Sequence, residues 1–148
     1  MMIKTLGMPL LALLALLFSN LASAAGGDDE PAPMLLEPIE EVQGVIESQL
    51  LAFQASDGPG AFFHAAPGIQ GAFGNAAQFM AMVEQGYNVI YENADWSFED
   101  FTVQGARAAQ IVLITDGKGR EMRAMYFLRQ MDGRWRIEGV QQIGNTAT

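Results

Sequence analysis

The sequence predicts an α+β domain in which three N-terminal helices pack in the concave face of a curved antiparallel sheet of about four strands. Two observations carry this. Up to Gly86 the apolar residues recur every three or four positions, the period of a helix buried along one face. Beyond Tyr87 the period falls to two, with turn pairs Asp116-Gly117 and Asp132-Gly133 dividing the segment into hairpins. Helices first and hairpins afterwards place the helices on one face of an antiparallel sheet.

The elements follow in order. Residues 1–24 read as a secretory signal peptide: Lys4, an apolar run from Met8 to Phe18, then the small-residue exit Ala22-Ser23-Ala24. A spanning helix needs about 20 apolar residues, and Pro9 and Asn20 bracket a shorter run, so cleavage after Ala24 is expected, with no stable membrane span afterwards. The expected destination is the periplasm or the medium. Residues 25–36, beginning Ala-Gly-Gly-Asp-Asp-Glu, read as a disordered acidic linker. One domain over 37–143 and a flexible tail over 144–148 complete the chain.

In that domain Ile39, Val42, Ile46, Leu50 and Phe53 give the first helix its apolar stripe, with Pro38 in the first turn. Asp57 is placed to cap a short second helix holding Phe62 and Phe63, which Pro67-Gly68 ends. Asn75 followed by Gln78 resembles a capping box for the third helix, which carries Phe79, Met82 and Val83 and closes at Gly86. The first strand is read as long and bent, taking in Val89–Tyr91 and Trp96–Gln104. Arg107–Thr115, Arg120–Gln130 and Trp135–Gln142 are the others. Which face of the last hairpin turns inward stays open. A two-residue Asp132-Gly133 loop sets Leu128 against Ile137 and Arg129 against Arg136, whereas a bulged loop pairs Phe127 with Ile137.

Composition narrows function. Beyond Ala24 stand all 17 acidic residues and seven lysines and arginines, a net charge of −10, with no Lys or Arg between Ala25 and Gln104. Such a chain repels phosphate backbones, so nucleic acid is not an expected partner. The chain has no cysteine and one histidine, His64, so neither thiolate nor paired-histidine metal ligation is available, and no cofactor is implied.

Ala61-Phe62, Ala66-Pro67-Gly68-Ile69, Phe73-Gly74, Phe79, Met82-Val83, Gly86-Tyr87 and Tyr91 resemble a bacterial family of exported proteins with no assigned function. The closing Asp132-Gly133-Arg134-Trp135-Arg136-Ile137 resembles the wider cone-shaped superfamily of nuclear transport factor two and ketosteroid isomerase. The resemblance runs from Ile39 to Val140 and implies a conical fold with an apolar pocket. It departs after Tyr91, where Glu92-Asn93 replace the basic residue and proline to which that family tends, so an anion-binding loop does not carry over.

The pocket candidates are His64, Phe62, Phe73, Phe79, Tyr87 and Tyr91. Their aromatic character points to non-catalytic binding of a small apolar or amphipathic ligand. An isomerase or dehydratase using the tyrosines or His64 is the alternative from another class, needing a tuned acid or base within reach of a substrate. The acids available for that are Asp57, Asp95, Glu99 and Asp100, with Asp57 better read as a cap. A third alternative is an interaction module with a filled pocket. Arg123, Arg129, Arg134 and Arg136, interleaved with Glu121 and Glu138, read as a solvated sheet face of cross-strand pairs, through which a homodimer is a possible partner state.

Overall fold

The structure, a computed structural model, describes residues 36–144. The signal peptide, nearly all of the acidic linker and the last four residues of the tail lie outside the described residues.

Helix α1 spans Pro38–Gln54, with Pro38 in its first turn and Glu40 and Glu41 near its positive end. It buries Val42, Ile46, Gln49, Leu50 and Phe53 along one face. Ile39 stays exposed, and an amide, Gln49, occupies the stripe where the hydrophobic pattern has a gap. Helix α2, Gly58–Phe63, begins at Asp57, whose carboxylate accepts from Gly60 N at 3.0 Å. Helix α4, Ala76–Gly86, begins at Asn75, whose Oδ1 accepts from Gln78 N at 2.9 Å. Both caps satisfy backbone donors that a helix start leaves unpaired.

Two short helices were not read from the sequence. Pro67 does not merely end α2: it opens α3, Pro67–Phe73, since proline's fixed φ and missing N–H suit a first helical turn equally well. Gly74 closes α3 at φ +83°, the left-handed conformation that favours glycine. Val89–Tyr91 belong not to the first strand but to the one-turn helix α5, Asn88–Tyr91. Their β-branched character reads as strand, yet Val89 and Ile90 are both buried, which adjacent residues of a strand with one solvated face cannot be.

The sheet is antiparallel in the order β1-β2-β3-β4, with β1 Asn93–Gln104, β2 Arg107–Asp116, β3 Glu121–Met131 and β4 Arg134–Gln142. Strand β1 bends where its register against β2 shifts between Phe98 and Phe101. Gln110 of β2 fills that irregularity. Its Nε2 donates to the carbonyls of Glu99 (3.0 Å) and Asp100 (3.3 Å), and its Oε1 accepts from Gln43 of α1 at 2.9 Å.

The open question of the last hairpin resolves to the two-residue loop. Asp132 and Gly133 both take positive φ, +49° and +80°, as the tight turn matching the strand twist requires. Leu128 therefore faces Ile137, and Arg129 faces Arg136. The like charges are relieved because a bulge at Glu138 brings its carboxylate to Arg129. That bulge also turns Val140 inward beside Ile137.

The inner face of the sheet carries Val112, Ile114, Ala124, Tyr126, Leu128 and Ile137, all nearly inaccessible to solvent and packed beneath the helices. The chain between α2 and α3 is fastened to β4: Ile137 N donates to the His64 carbonyl and Ala66 N to the Ile137 carbonyl, each at 2.8 Å. Trp135 Nε1 donates to Glu41 at 3.1 Å, tying β4 to α1 as well.

Candidate functional site

Phe79 is the centre of an aromatic group. Its ring lies 5.4 Å from that of Phe62, 6.1 Å from Phe73 and 6.2 Å from Phe53, distances at which rings attract beyond simple burial. On one side of this group the helices stand away from the sheet and leave a cavity of about 250 Å³. This lies just below the roughly 300–1,000 Å³ typical of small-molecule sites.

Helices α3, α4 and α5 supply one wall, through Ile69, Phe73, Met82 and Ile90; β3 and β4 supply the other, through Tyr126, Ile137 and Val140. Exposure grades along it. Ile69, Phe73, Met82, Tyr87 and Val140 are half-buried and form the mouth, whereas Gln49, Ala65, Tyr126 and Ile137 at the inner end are buried.

The polar groups of the lining are few. Tyr87 Oη donates to the Val140 carbonyl at 3.2 Å, bridging helix and sheet across the mouth. Gln49 Nε2 donates to the Ala61 carbonyl at 3.1 Å. The Tyr126 hydroxyl, fully buried, has no hydrogen-bond partner among the described residues. Burial holds its pKa well above the ordinary tyrosine value, so this phenol keeps its proton. Among the described residues, no ionisable carboxylate, histidine or basic side chain lines the cavity.

Of the residues singled out from the sequence, the cavity brings together Phe73, Phe79 and Tyr87. Phe62 packs behind Phe79, and Tyr91 packs against Phe53 at 6.1 Å, so both support the wall without lining it. His64 lies outside the lining, its ring edge-on to Phe63 at 5.3 Å, and its Nδ1 is buried with no hydrogen-bond partner among the described residues. Burial and then the nearby Arg134 guanidinium lower its pKa, which favours the neutral imidazole. Among the lining residues that sequence reasoning missed, the polar ones are Gln49 and Tyr126. Inward alternation of β3 could have found Tyr126, but only once the hairpin register was fixed.

Three of the four arginines singled out from the sequence are engaged elsewhere, whereas Arg136 Nε is buried with no hydrogen-bond partner among the described residues. Arg123 binds Glu99 through two hydrogen bonds of 2.7 and 2.9 Å, which hold that carboxyl below its usual range, and Arg129 pairs with Glu138. Arg134 stacks over the exposed Phe63 ring at 4.1 Å. No group of three or more metal-ligating side chains occurs among the described residues. No helix among them is long and apolar enough to cross a membrane.

Helices packed on a four-stranded antiparallel sheet are an architecture shared with solved structures. An NTF-2-like protein of unknown function from Shewanella oneidensis superposes with a TM-score of 0.54 at 11% identity, over 72% of this chain and 98% of that one. A SEC-C motif containing protein from Rhodopseudomonas palustris gives 0.51 at 16% identity, over 68% and 77%. An NTF-2-like protein of unknown function from Silicibacter pomeroyi gives 0.49 at 20%, over 71% and 95%. At these identities the likeness is one of fold. No curated protein matches the chain. Residues 37–148 match the family described as Domain of unknown function (DUF4864), and the chain belongs to that family.

Proposed function

We propose that this is an exported, non-catalytic binding domain that holds a small apolar or amphipathic ligand in the cavity between α4 and the inner face of the sheet. The observation that carries the reading is the lining itself: a concave site of about 250 Å³ walled by aliphatic and aromatic side chains. Such a wall supplies burial, worth about 25 cal/mol per Å² of apolar surface, and little else.

The same inventory weighs against an isomerase or dehydratase. Tyr87 already donates to Val140, His64 lies outside the lining, and no carboxylate among the described residues lines the cavity. General acid–base work needs a group within hydrogen-bond reach of the reacting atom. Export is supported by the charged, apolar and small-residue parts of residues 1–24.

The test has two arms. Intact mass of protein recovered from an exporting host should correspond to a chain starting at Ala25; one still carrying residues 1–24 would refute export. Thermal-shift titration with indane and naphthalene should raise the melting temperature, since a ligand at a hundred times its Kd stabilises by about 2.7 kcal/mol. Met82→Lys, which sets an ammonium at the mouth, should abolish the shift while leaving the far-UV spectrum unchanged. Chemical conversion of a bound probe would overturn the non-catalytic reading.

A further inference from the structure

We infer that the ligand is elongated: its apolar end fills the cavity, and an uncharged hydrogen-bonding end, an amide or an alcohol, leaves by the mouth to lie along α4 between Gln78 and Gln85. The inference rests on the binding reading above and names the chemistry of the part that stays outside.

A second hollow of about 450 Å³, more open than the cavity, runs along α4. Phe73 and Met82 line both hollows, and both are half-buried at the mouth. Met82 is unbranched and has three rotatable bonds, so the partition it forms is adjustable. The cavity alone, at about 250 Å³, is smaller than a typical small-molecule site, so a guest of ordinary size overflows it at this point.

Gln78, Ala81, Met82 and Gln85 follow one another at three- and four-residue steps and so share one face of α4. The two glutamines stand about 10 Å apart along the axis. The floor between them is low, because Ala81 carries only a methyl group and a Cβ added at Gly86 would meet nothing within 4 Å.

These two amides differ from the others in the helices. Gln43, Gln49, Gln54 and Gln70 each donate Nε2 to a partner within the fold. The side-chain amides of Gln78 and Gln85 have no such partner among the described residues, and both side chains are exposed, so a guest reaches them without any rearrangement of the fold. An amide donates and accepts at once, and its best match is a group that does the same. Among the described residues no ionisable side chain lines either hollow, so a charged end would find no opposite charge there.

Matched probes test this on the intact protein by calorimetry: naphthalene for the cavity alone, and N-(2-hydroxyethyl)-2-naphthaleneacetamide for cavity and groove together. Gln78→Ala/Gln85→Ala places a better helix former at two exposed positions and should melt as wild type does. It should lose roughly two- to twelvefold in affinity for the amide, the span of one neutral hydrogen bond, and nothing for naphthalene. Ala81→Trp, which fills the groove from a position outside the cavity lining, should weaken the amide and spare naphthalene. Analogues ending in a carboxylate or an ammonium in place of the hydroxyl should bind wild type more weakly than the alcohol. An unchanged amide affinity in both variants would overturn the groove and leave the cavity reading standing. Tighter binding of either charged analogue would overturn the uncharged end. A variant that loses naphthalene as well would show that these residues shape the cavity itself, and the separate subsite fails. Absence of naphthalene binding by wild type would remove the cavity reading and this inference with it.

Discussion

The two faces of the sheet are made from the same four strands and behave as different materials. The inner face buries Val112, Ile114, Ala124, Tyr126 and Leu128 with almost no contact with water, and Gln110, buried among them, is hydrogen-bonded to the fold. The outer face alternates half-buried apolar residues, Ile111, Leu113 and Met125, with ion pairs that water reaches, Arg123–Glu99 and Arg129–Glu138. Charge sits where solvent screens it, and volume sits where solvent is excluded. Stability and any ligand chemistry should therefore reside on the inner face, and substitutions outside should be nearly silent.

The comparison is put at greatest risk by Phe79→Ala. Phe79 is buried and touches three other rings, so the variant removes both burial and aromatic contacts. A loss of about 3–5 kcal/mol in urea-determined stability is expected. A loss below 1 kcal/mol would mean that the helices around the cavity are loosely packed and readily collapse to fill the space.

A smaller effect is expected from Gln110→Leu, which keeps the volume but strands the carbonyls of Glu99 and Asp100 at the bend of β1. Leaving such acceptors unpaired costs about 1–3 kcal/mol, and hydrogen exchange should quicken first in β1. Unchanged exchange there would show that the bend holds itself without the amide. The smallest effect belongs to the outer face: Glu138→Gln removes the carboxylate paired with Arg129 and should cost under about 1 kcal/mol, less in high salt. A larger loss would break the contrast between the faces, showing that the bulge depends on the ion pair.

Much of this organisation is legible in the residues. The helix caps at Asp57 and Asn75, the periodicity of α1 and α4, and the hairpin turns are local features, fixed by backbone chemistry within a few positions. Pro67 and Val89–Tyr91 were ambiguous because their local preferences serve two outcomes: proline ends one helix and begins another, and a Val-Ile pair suits a strand or a buried helical turn. Packing decided them. The candidate site was half legible for the same reason. Aromatic composition pointed to Phe73, Phe79 and Tyr87, but whether a side chain reaches a cavity is a matter of direction.

What the sequence by itself determined is the succession of helices and hairpins, the acidic and cysteine-free character of the chain, and the aromatic richness of its helical half. Periodicity, turn chemistry and composition are properties of neighbouring residues, and no distant contact is needed to express them. The tertiary structure alone decided that Tyr126 and Gln49 share the inner end of one cavity, that Tyr87 spends its hydroxyl on Val140, and that His64 stands outside. Residues 49 and 126 lie on α1 and β3, and their meeting depends on how β3 pairs with its neighbours. A slip of one residue in that register would turn Tyr126 to the outer face, so the sheet wall of the cavity exists only once the strands have paired.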